Sequence, residues 1–138
     1  MVDDDNDILW VCQKVLSEEG FSVDIANDSE EAIRKARLNH YHIFILDYMM
    51  PKLGGEELAK QILAINKHAV FIFLTGYYEF STISKDLDLL THLILLKPIN
   101  DIELIHAVRE NIEYLNYTSG INGYHKQVLP DLQSQISE

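Results

Sequence analysis

The sequence is poor in basic residues and has almost no cysteine. Lys and Arg number 11 against 22 Asp and Glu, which gives the 138-residue chain a formal charge of −11. This balance disfavours direct binding to nucleic acid or to an anionic membrane, because both rely on clustered Lys and Arg. Cys12 is the only cysteine, so an internal disulfide and a cysteine metal cluster are excluded, and a cytoplasmic location is expected.

Long hydrophobic runs are also missing. No apolar stretch reaches the ~20 residues that span a bilayer, and the acidic start Met1-Val2-Asp3-Asp4-Asp5 is the opposite of a basic signal peptide. The motif G-x-x-x-x-G-K-[ST] is absent, which excludes a P-loop nucleotide site. What is present is a hydrophobic fraction of 47%, sufficient for the core of one domain.

Short apolar runs alternate with longer segments of helical periodicity, a pattern that predicts an α/β fold around a parallel sheet. Gly20 is expected to end the first helix, and Ser29 to cap the second. Turn-forming residues after Tyr117 favour a domain over 1–116 and a tail or linker over 117–138. Strands are predicted at 21–26, 42–46, 69–74 and 92–96, and helices at 6–19, 29–38, 56–65, 81–90, 101–115 and 124–136.

The first strand of this series is incomplete. A βα series opens with an apolar strand, but only Met1 and Val2 precede the acidic run and the first helix. The strand is therefore very short, or the chain is clipped at its start, or another chain supplies the strand.

Polar residues follow the predicted strands at equivalent positions. Asp47, Thr75 and Lys97 each follow a buried apolar run, while Asp3 and Asp4 lie where a first strand would end. Ligands of an open parallel sheet bind outside the carboxyl ends of its strands. We therefore expect these side chains to lie close together in the fold.

This cluster has the composition of a phosphoryl-transfer site. Three neighbouring carboxylates raise one another's pKa, and a divalent cation with a preference for hard oxygen ligands, such as Mg²⁺, relieves that repulsion. The carboxylate of Asp47 could then attack a phosphoryl donor while Lys97 offsets charge on the phosphoryl oxygens. Thr75 offers a hydroxyl donor to the same oxygens.

Taken together, four motifs resemble those of response-regulator receiver domains. They are Val2-Asp3-Asp4-Asp5, Asp47-Tyr48-Met49-Met50-Pro51 with Gly55, Thr75-Gly76 and Lys97-Pro98, in family order from residue 2 to about 115. The resemblance implies a doubly wound, flavodoxin-like fold. Its five-stranded parallel sheet has the order 2-1-3-4-5, with helices on both faces and a short or truncated first strand.

The resemblance also implies a role for each site residue. Asp47 matches the phosphoacceptor, Thr75 the switch hydroxyl and Lys97 the lysine that pairs with the phosphoryl group. Magnesium would be held by Asp3, Asp4, Asp47 and the backbone carbonyl of Met49. If the register slips by one residue, Asp5 joins the acidic pair instead.

One departure concerns the switch. Receiver domains often have an aromatic residue three positions before the lysine, where this sequence has Ile94. The coupling of Thr75 to an inward-swinging aromatic ring is therefore not expected here. In a different interpretation, residues 3–5 are a solvated run that caps the following helix.

By resemblance, the chain is a signalling switch and no enzyme beyond self-phosphorylation and autodephosphorylation. A sensor histidine kinase or a phosphotransfer protein would phosphorylate it. The face built from residues 77–115 would then change, controlling a partner, an output domain or homodimerisation. The alternative is a pseudo-receiver, an interaction module without phosphorylation. Two other classes are disfavoured. A haloacid-dehalogenase-type phosphatase would need an aspartate at position 49, where this chain has Met. A flavodoxin-like cofactor carrier would need a phosphate-binding loop after the first strand, where this chain has acidic residues.

Overall fold

A computed structural model describes residues 1–76 and 91–120. The helices predicted at 81–90 and 124–136 lie outside the described residues. None of the helices in the described part combines the length and hydrophobicity of a membrane span. The elements in chain order are α1 (Asn6–Glu18), α2 (Ser29–Leu38), β1 (Ile43–Asp47), α3 (Gly55–Ile65), β2 (Val70–Thr75), β3 (Thr91–Leu96) and α4 (Asp101–Gly120).

The described strands form a parallel sheet in the order β1-β2-β3. Val2 extends it as a single bridging residue, pairing in parallel with Leu46 on one side and Ala26 on the other. The spatial order is thus Ala26, Val2, β1, β2, β3, which confirms the predicted 2-1-3-4-5 arrangement. The prediction of five strands is met only in part, because the first two positions are reduced to bridges among the described residues.

The strand predicted at 21–26 is the clearest local error. Only Ala26 forms a bridge, because Val2 is the single bridging residue beside it. The outer edge of this segment is covered by side chains instead. Gln13 donates to Val23 O at 2.9 Å, and Lys35 donates to Ile25 O at 2.6 Å.

Two apolar layers sandwich the sheet, as predicted for a doubly wound fold. Phe44, Leu46, Phe71 and Phe73 face α2 and α3, where Leu58 and Ile62 are fully buried. Ile45, Ile72 and Leu74 point to the opposite face. There they meet α1 and α4 through Cys12, Leu16, Leu104, Ala107 and Val108. This alternation explains the continuously apolar strands β1 and β2, since both are buried on both faces.

Two helix ends differ from the prediction. The cap of α2 is Asp28, whose side chain accepts from Glu31 N, whereas the Ser29 hydroxyl donates to Leu53 O at 3.0 Å. At the other end of the chain, α4 continues to Gly120 rather than ending near Leu115. The turn propensity of Thr118 and Ser119 therefore does not end the helix. The domain boundary at 116/117 stays a prediction.

Candidate functional site

An acidic cluster lies at the carboxyl edge of the sheet. Asp3, Asp4 and Asp47 each place one carboxylate oxygen within 4.8 Å of the others. Asp3 and Asp47 are buried and Asp4 is exposed. The backbone holds two of them in place, because Asp47 N donates to Val2 O at 2.9 Å and Asp3 N donates to Ala26 O at 3.2 Å. The single bridging residue Val2 therefore aligns the acids of two neighbouring chain segments.

Lys97 provides one ammonium for the two buried carboxylates. Its Nζ lies 3.2 Å from Asp3 Oδ2 and 3.1 Å from Asp47 Oδ1. The backbone amide of Lys97 donates to Thr75 O at 2.8 Å, which fixes the lysine one step beyond β3. The Lys97–Pro98 peptide bond is cis. Counting Asp4, three carboxylates face one ammonium, so the cluster retains a net negative charge.

The electrostatics of the site favour a protonated lysine and a perturbed Asp47. Burial is the main cause that raises the pKa of Asp47 to about 6, and Asp3 adds to it while Lys97 opposes it. Burial alone would lower the pKa of Lys97, but Asp47 and Asp3 outweigh it and raise the pKa of the ammonium. At neutral pH, Asp47 is therefore mostly a carboxylate next to a firmly charged lysine.

The buried carboxylate of Asp3 is incompletely hydrogen-bonded. Its Oδ1 accepts from Asp5 N at 2.9 Å. Its Oδ2 is buried and accepts no hydrogen bond among the described residues, although the Lys97 ammonium lies nearby. A buried carboxylate oxygen in this state calls for a further positive partner. The hard oxygens of Asp3, Asp4 and Asp47 fit Mg²⁺ in chemistry and in spacing.

Asp5 is placed in the cap of α1. Its Oδ1 accepts from Asp7 N at 2.9 Å and from Ile8 N at 3.4 Å. The capping interpretation of the acidic run therefore holds for this one residue. A register slip that brings Asp5 into the acidic cluster finds no support in this geometry. The Asp5 amide also orients Asp3, an interaction that the sequence could have indicated, because an Asp side chain commonly accepts from the amide two residues further on.

Thr75 ends β2, and Met49 follows the carboxyl end of β1. Thr75 is fully buried at the end of β2, one residue beyond Leu74, the partner of Asp47 in the sheet register. The Thr75 hydroxyl donates to Gly76 O at 3.4 Å. Met49 lies two residues after β1 with a side chain that is 56% exposed. The ligand role of its backbone carbonyl stays a prediction.

The amino end of α3 packs directly on the backbone of Asp47 and Tyr48. Gly55 N donates to Tyr48 O at 2.9 Å. A Cβ at Gly55 would lie 2.3 Å from the Asp47 carbonyl oxygen, closer than any real Cβ contact. Only glycine therefore permits this approach, which fixes the loop that leaves the acidic site.

Gly55→Ala tests this close approach, with Gly54→Ala as its matched control. We expect Gly55→Ala to lower the free energy of unfolding by about 1–3 kcal/mol, because the clash involves rigid backbone. At Gly54 the nearest contact would be 3.4 Å, to Tyr48 O, so we expect a change below about 0.5 kcal/mol. Urea unfolding of both variants measures the difference. Equal stabilities would contradict the packing described.

Comparison with known proteins agrees with this geometry. The family model described as "Response regulator receiver domain" matches residues 1–109. The "Transcriptional regulatory protein CpxR homolog" of Haemophilus influenzae is 37% identical over 109 residues, covering 79% of this chain and 47% of that protein. The "Response regulator SaeR" of Staphylococcus aureus is 28% identical over 132 residues, covering 96% and 55%. The chain thus spans about half the length of these curated relatives.

A solved structure shows the same fold. The receiver domain protein from Clostridium thermocellum superposes with a TM-score of 0.77 at 27% identity, covering 85% of this chain and 94% of that one. With the family match over most of the chain, this establishes the class: the chain belongs to the response-regulator receiver-domain family. The family resemblance and the flavodoxin-like fold predicted from the motifs are confirmed.

Proposed function

We propose that this chain is a phosphoacceptor switch in which the carboxylate of Asp47 receives the phosphoryl group. The single observation that carries the proposal is the convergence of Asp47 with Lys97, at 3.1 Å, and with the acids Asp3 and Asp4. A net negative cluster with two buried carboxylates and one fixed ammonium is arranged for charge compensation during phosphoryl transfer.

Magnesium is the cofactor that suits this site. Asp3, Asp4, Asp47 and the backbone carbonyl of Met49 would hold it, and when bound it supplies charge neutralisation to the transferring phosphoryl oxygens. The incompletely hydrogen-bonded Asp3 Oδ2 supports this assignment.

Three residues of the chain carry out the phosphoryl transfer. A carboxylate oxygen of Asp47 attacks phosphorus in line, the bond from phosphorus to the donor's leaving group breaks, and an aspartyl phosphate forms. The Lys97 ammonium pairs with the negative charge that arrives with the phosphoryl oxygens. The Thr75 hydroxyl, at the end of the neighbouring strand, donates to one of them. Since the pKa of Asp47 is about 6, the attacking group is mostly ionised at neutral pH.

The donor and the output follow from the family. Receiver domains accept their phosphoryl group from sensor histidine kinases or phosphotransfer proteins, and we propose the same for this chain. The signal would leave through the face of residues 77–115, to a partner, an output domain or a second copy. Ile94 is partly buried against the core layer of α2 and α3. Any coupling from Thr75 to this face therefore runs through aliphatic packing at that position.

A phosphorylation assay distinguishes this switch from a pseudo-receiver. The chain is incubated with a low-molecular-weight acyl phosphate and Mg²⁺, and the phosphoryl adduct is located by intact mass and by peptide mapping. We expect one phosphoryl group on Asp47, and none when Mg²⁺ is replaced by excess EDTA. A chain that stays unmodified with Mg²⁺ and a cognate kinase, while folded, would instead be a pseudo-receiver.

A further inference from the structure

The loop between β1 and α3 leaves the acidic cluster and carries Met49, whose backbone carbonyl is the proposed fourth ligand of Mg²⁺. The loop is closed at its base, where Gly55 N donates to Tyr48 O at 2.9 Å. It turns sharply before α3, because Leu53 N donates to Pro51 O at 2.8 Å. Both bonds shape the loop, but neither connects residues 49–53 to a different element of the fold.

A hydrogen bond from α2 makes that connection. Ser29, the first residue of α2, is buried, and its hydroxyl donates to Leu53 O at 3.0 Å. Among the described residues, this is the one hydrogen bond that joins residues 49–53 to another element. The side chains of Met50 and Leu53 also pack against the core layer of α2 and α3, but apolar contacts do not fix the direction of a peptide group. The Ser29 hydroxyl does so, because a hydrogen bond is directional.

The hydroxyl of Ser29 is not needed by the helix in which it lies. The side chain of Asp28 caps α2 by accepting from Glu31 N at 2.8 Å. Alanine is also a better helix former than serine. A buried hydroxyl requires a hydrogen-bond partner, and here the partner is the loop. The contribution of the loop bond can therefore be separated from that of the helix cap.

We propose that Ser29 is a positioning residue for the Mg²⁺ site, which holds the loop of Met49 against α2. This role rests on the proposed function, because it assigns Ser29 a part in the same site. Ser29 itself does not contact the ion. Its hydrogen bond restricts the loop before Mg²⁺ arrives, so the ion does not have to order the backbone around Met49 on binding.

Mg²⁺ binding to the full chain tests this role. In Ser29→Ala, isothermal titration calorimetry should give a dissociation constant about fivefold higher than in the wild type, which is the effect of one neutral hydrogen bond. The fold should persist, because alanine suits the first turn of α2. Without Mg²⁺, the amide of Leu53 should exchange with solvent about fivefold faster in the variant, because the loop opens more easily.

Phosphorylation separates positioning from catalysis. With an acyl phosphate, the Mg²⁺ concentration that gives half of the maximal rate should rise by the same factor of about five in Ser29→Ala. The rate at saturating Mg²⁺ should stay within about twofold of the wild-type rate, because Asp47, Thr75 and Lys97 are unchanged. A loss of folded protein would instead lower the rate at every Mg²⁺ concentration.

Asp28→Ala is the matched control, because it removes the cap of the same helix and retains the Ser29 hydroxyl. We expect it to melt about 5 °C lower than the wild type. In about 0.15 M salt, which screens exposed charges, it should bind Mg²⁺ within about twofold of the wild type. The proposed role is overturned if Ser29→Ala binds Mg²⁺ as tightly as the wild type, or if Asp28→Ala weakens binding equally. A wild-type chain that binds no Mg²⁺ would contradict the proposed function itself, and the role of Ser29 with it.

Discussion

Lys97→Met is expected to lower the free energy of unfolding by about 3–5 kcal/mol at neutral pH in the absence of divalent cations. The substitution removes the ammonium that lies 3.2 Å from Asp3 and 3.1 Å from Asp47. Two buried carboxylates then face each other without a compensating charge, while methionine retains most of the side-chain volume. The loss arises from the uncompensated charge rather than from packing.

Two treatments should restore this variant. Lowering the pH protonates one carboxylate, whose pKa rises further once the lysine is gone, so the deficit relative to wild type should shrink below about pH 6. Saturating Mg²⁺ should stabilise the folded state through its preferential binding. Urea titrations at pH 5 and pH 7.5, with and without Mg²⁺, measure both effects.

Lys60→Met serves as the matched control. Lys60 is exposed and forms an i,i+4 ion pair with the half-buried Glu56 at 3.8 Å, and its loss should cost less than about 0.5 kcal/mol at either pH. If Lys97→Met proved as stable as Lys60→Met at pH 7.5, the two buried carboxylates would not depend on Lys97 for their charge balance.

The proximity of the site residues was predictable because it depends on topology rather than on detail. Asp47, Thr75 and Lys97 each follow an apolar run, and parallel strands bring their carboxyl ends to one edge. The apolar character of these runs is visible in the sequence, so the edge could be inferred. Their distances and the perturbed pKa of Asp47 could not be predicted, because they depend on side-chain packing and desolvation.

The errors occurred where a local preference met a longer-range constraint. The alternation at 21–26 has the pattern of a strand, but a strand also needs a partner, and Val2 alone supplies the bridge. Ser29 is a good capping residue, yet Asp28 takes the cap and leaves the Ser29 hydroxyl to bond Leu53 O across the loop. In α4, helix continuation outweighs the turn preference of Thr118 and Ser119.

Asp47→Asn is expected to separate function from stability. With an acyl phosphate and Mg²⁺, the variant should gain no phosphoryl group, because the amide lacks the nucleophilic carboxylate oxygen. In a separate sample of the same variant without divalent cations, we expect the free energy of unfolding to rise by about 1–3 kcal/mol at pH 7.5. The side chain keeps its shape, one buried negative charge disappears, and Lys97 is left in a balanced pair with Asp3.

The stabilisation expected for Asp47→Asn should depend on pH. Asp47 has a pKa of about 6 in the folded protein against an ordinary value of 3.8, so the folded state holds its proton more tightly. Its contribution to stability is complete below about pH 4 and is lost as the pH rises through 6. Asp47→Asn should remove this decline, which chemical denaturation at several pH values would show.

Asp5→Asn is the control for the Asp47 variant. Asp5 caps α1 through Asp7 N and Ile8 N, and asparagine caps equally well, so phosphorylation and the pH profile should both persist.

A phosphoryl group on Asp47→Asn would place the acceptor elsewhere in the chain. A stability that still declines between pH 4 and 6 would mean that a group other than Asp47 titrates there. The raised pKa thus connects phosphorylation with stability. The negative charge that makes Asp47 a nucleophile at neutral pH is the same charge that lowers the free energy of unfolding.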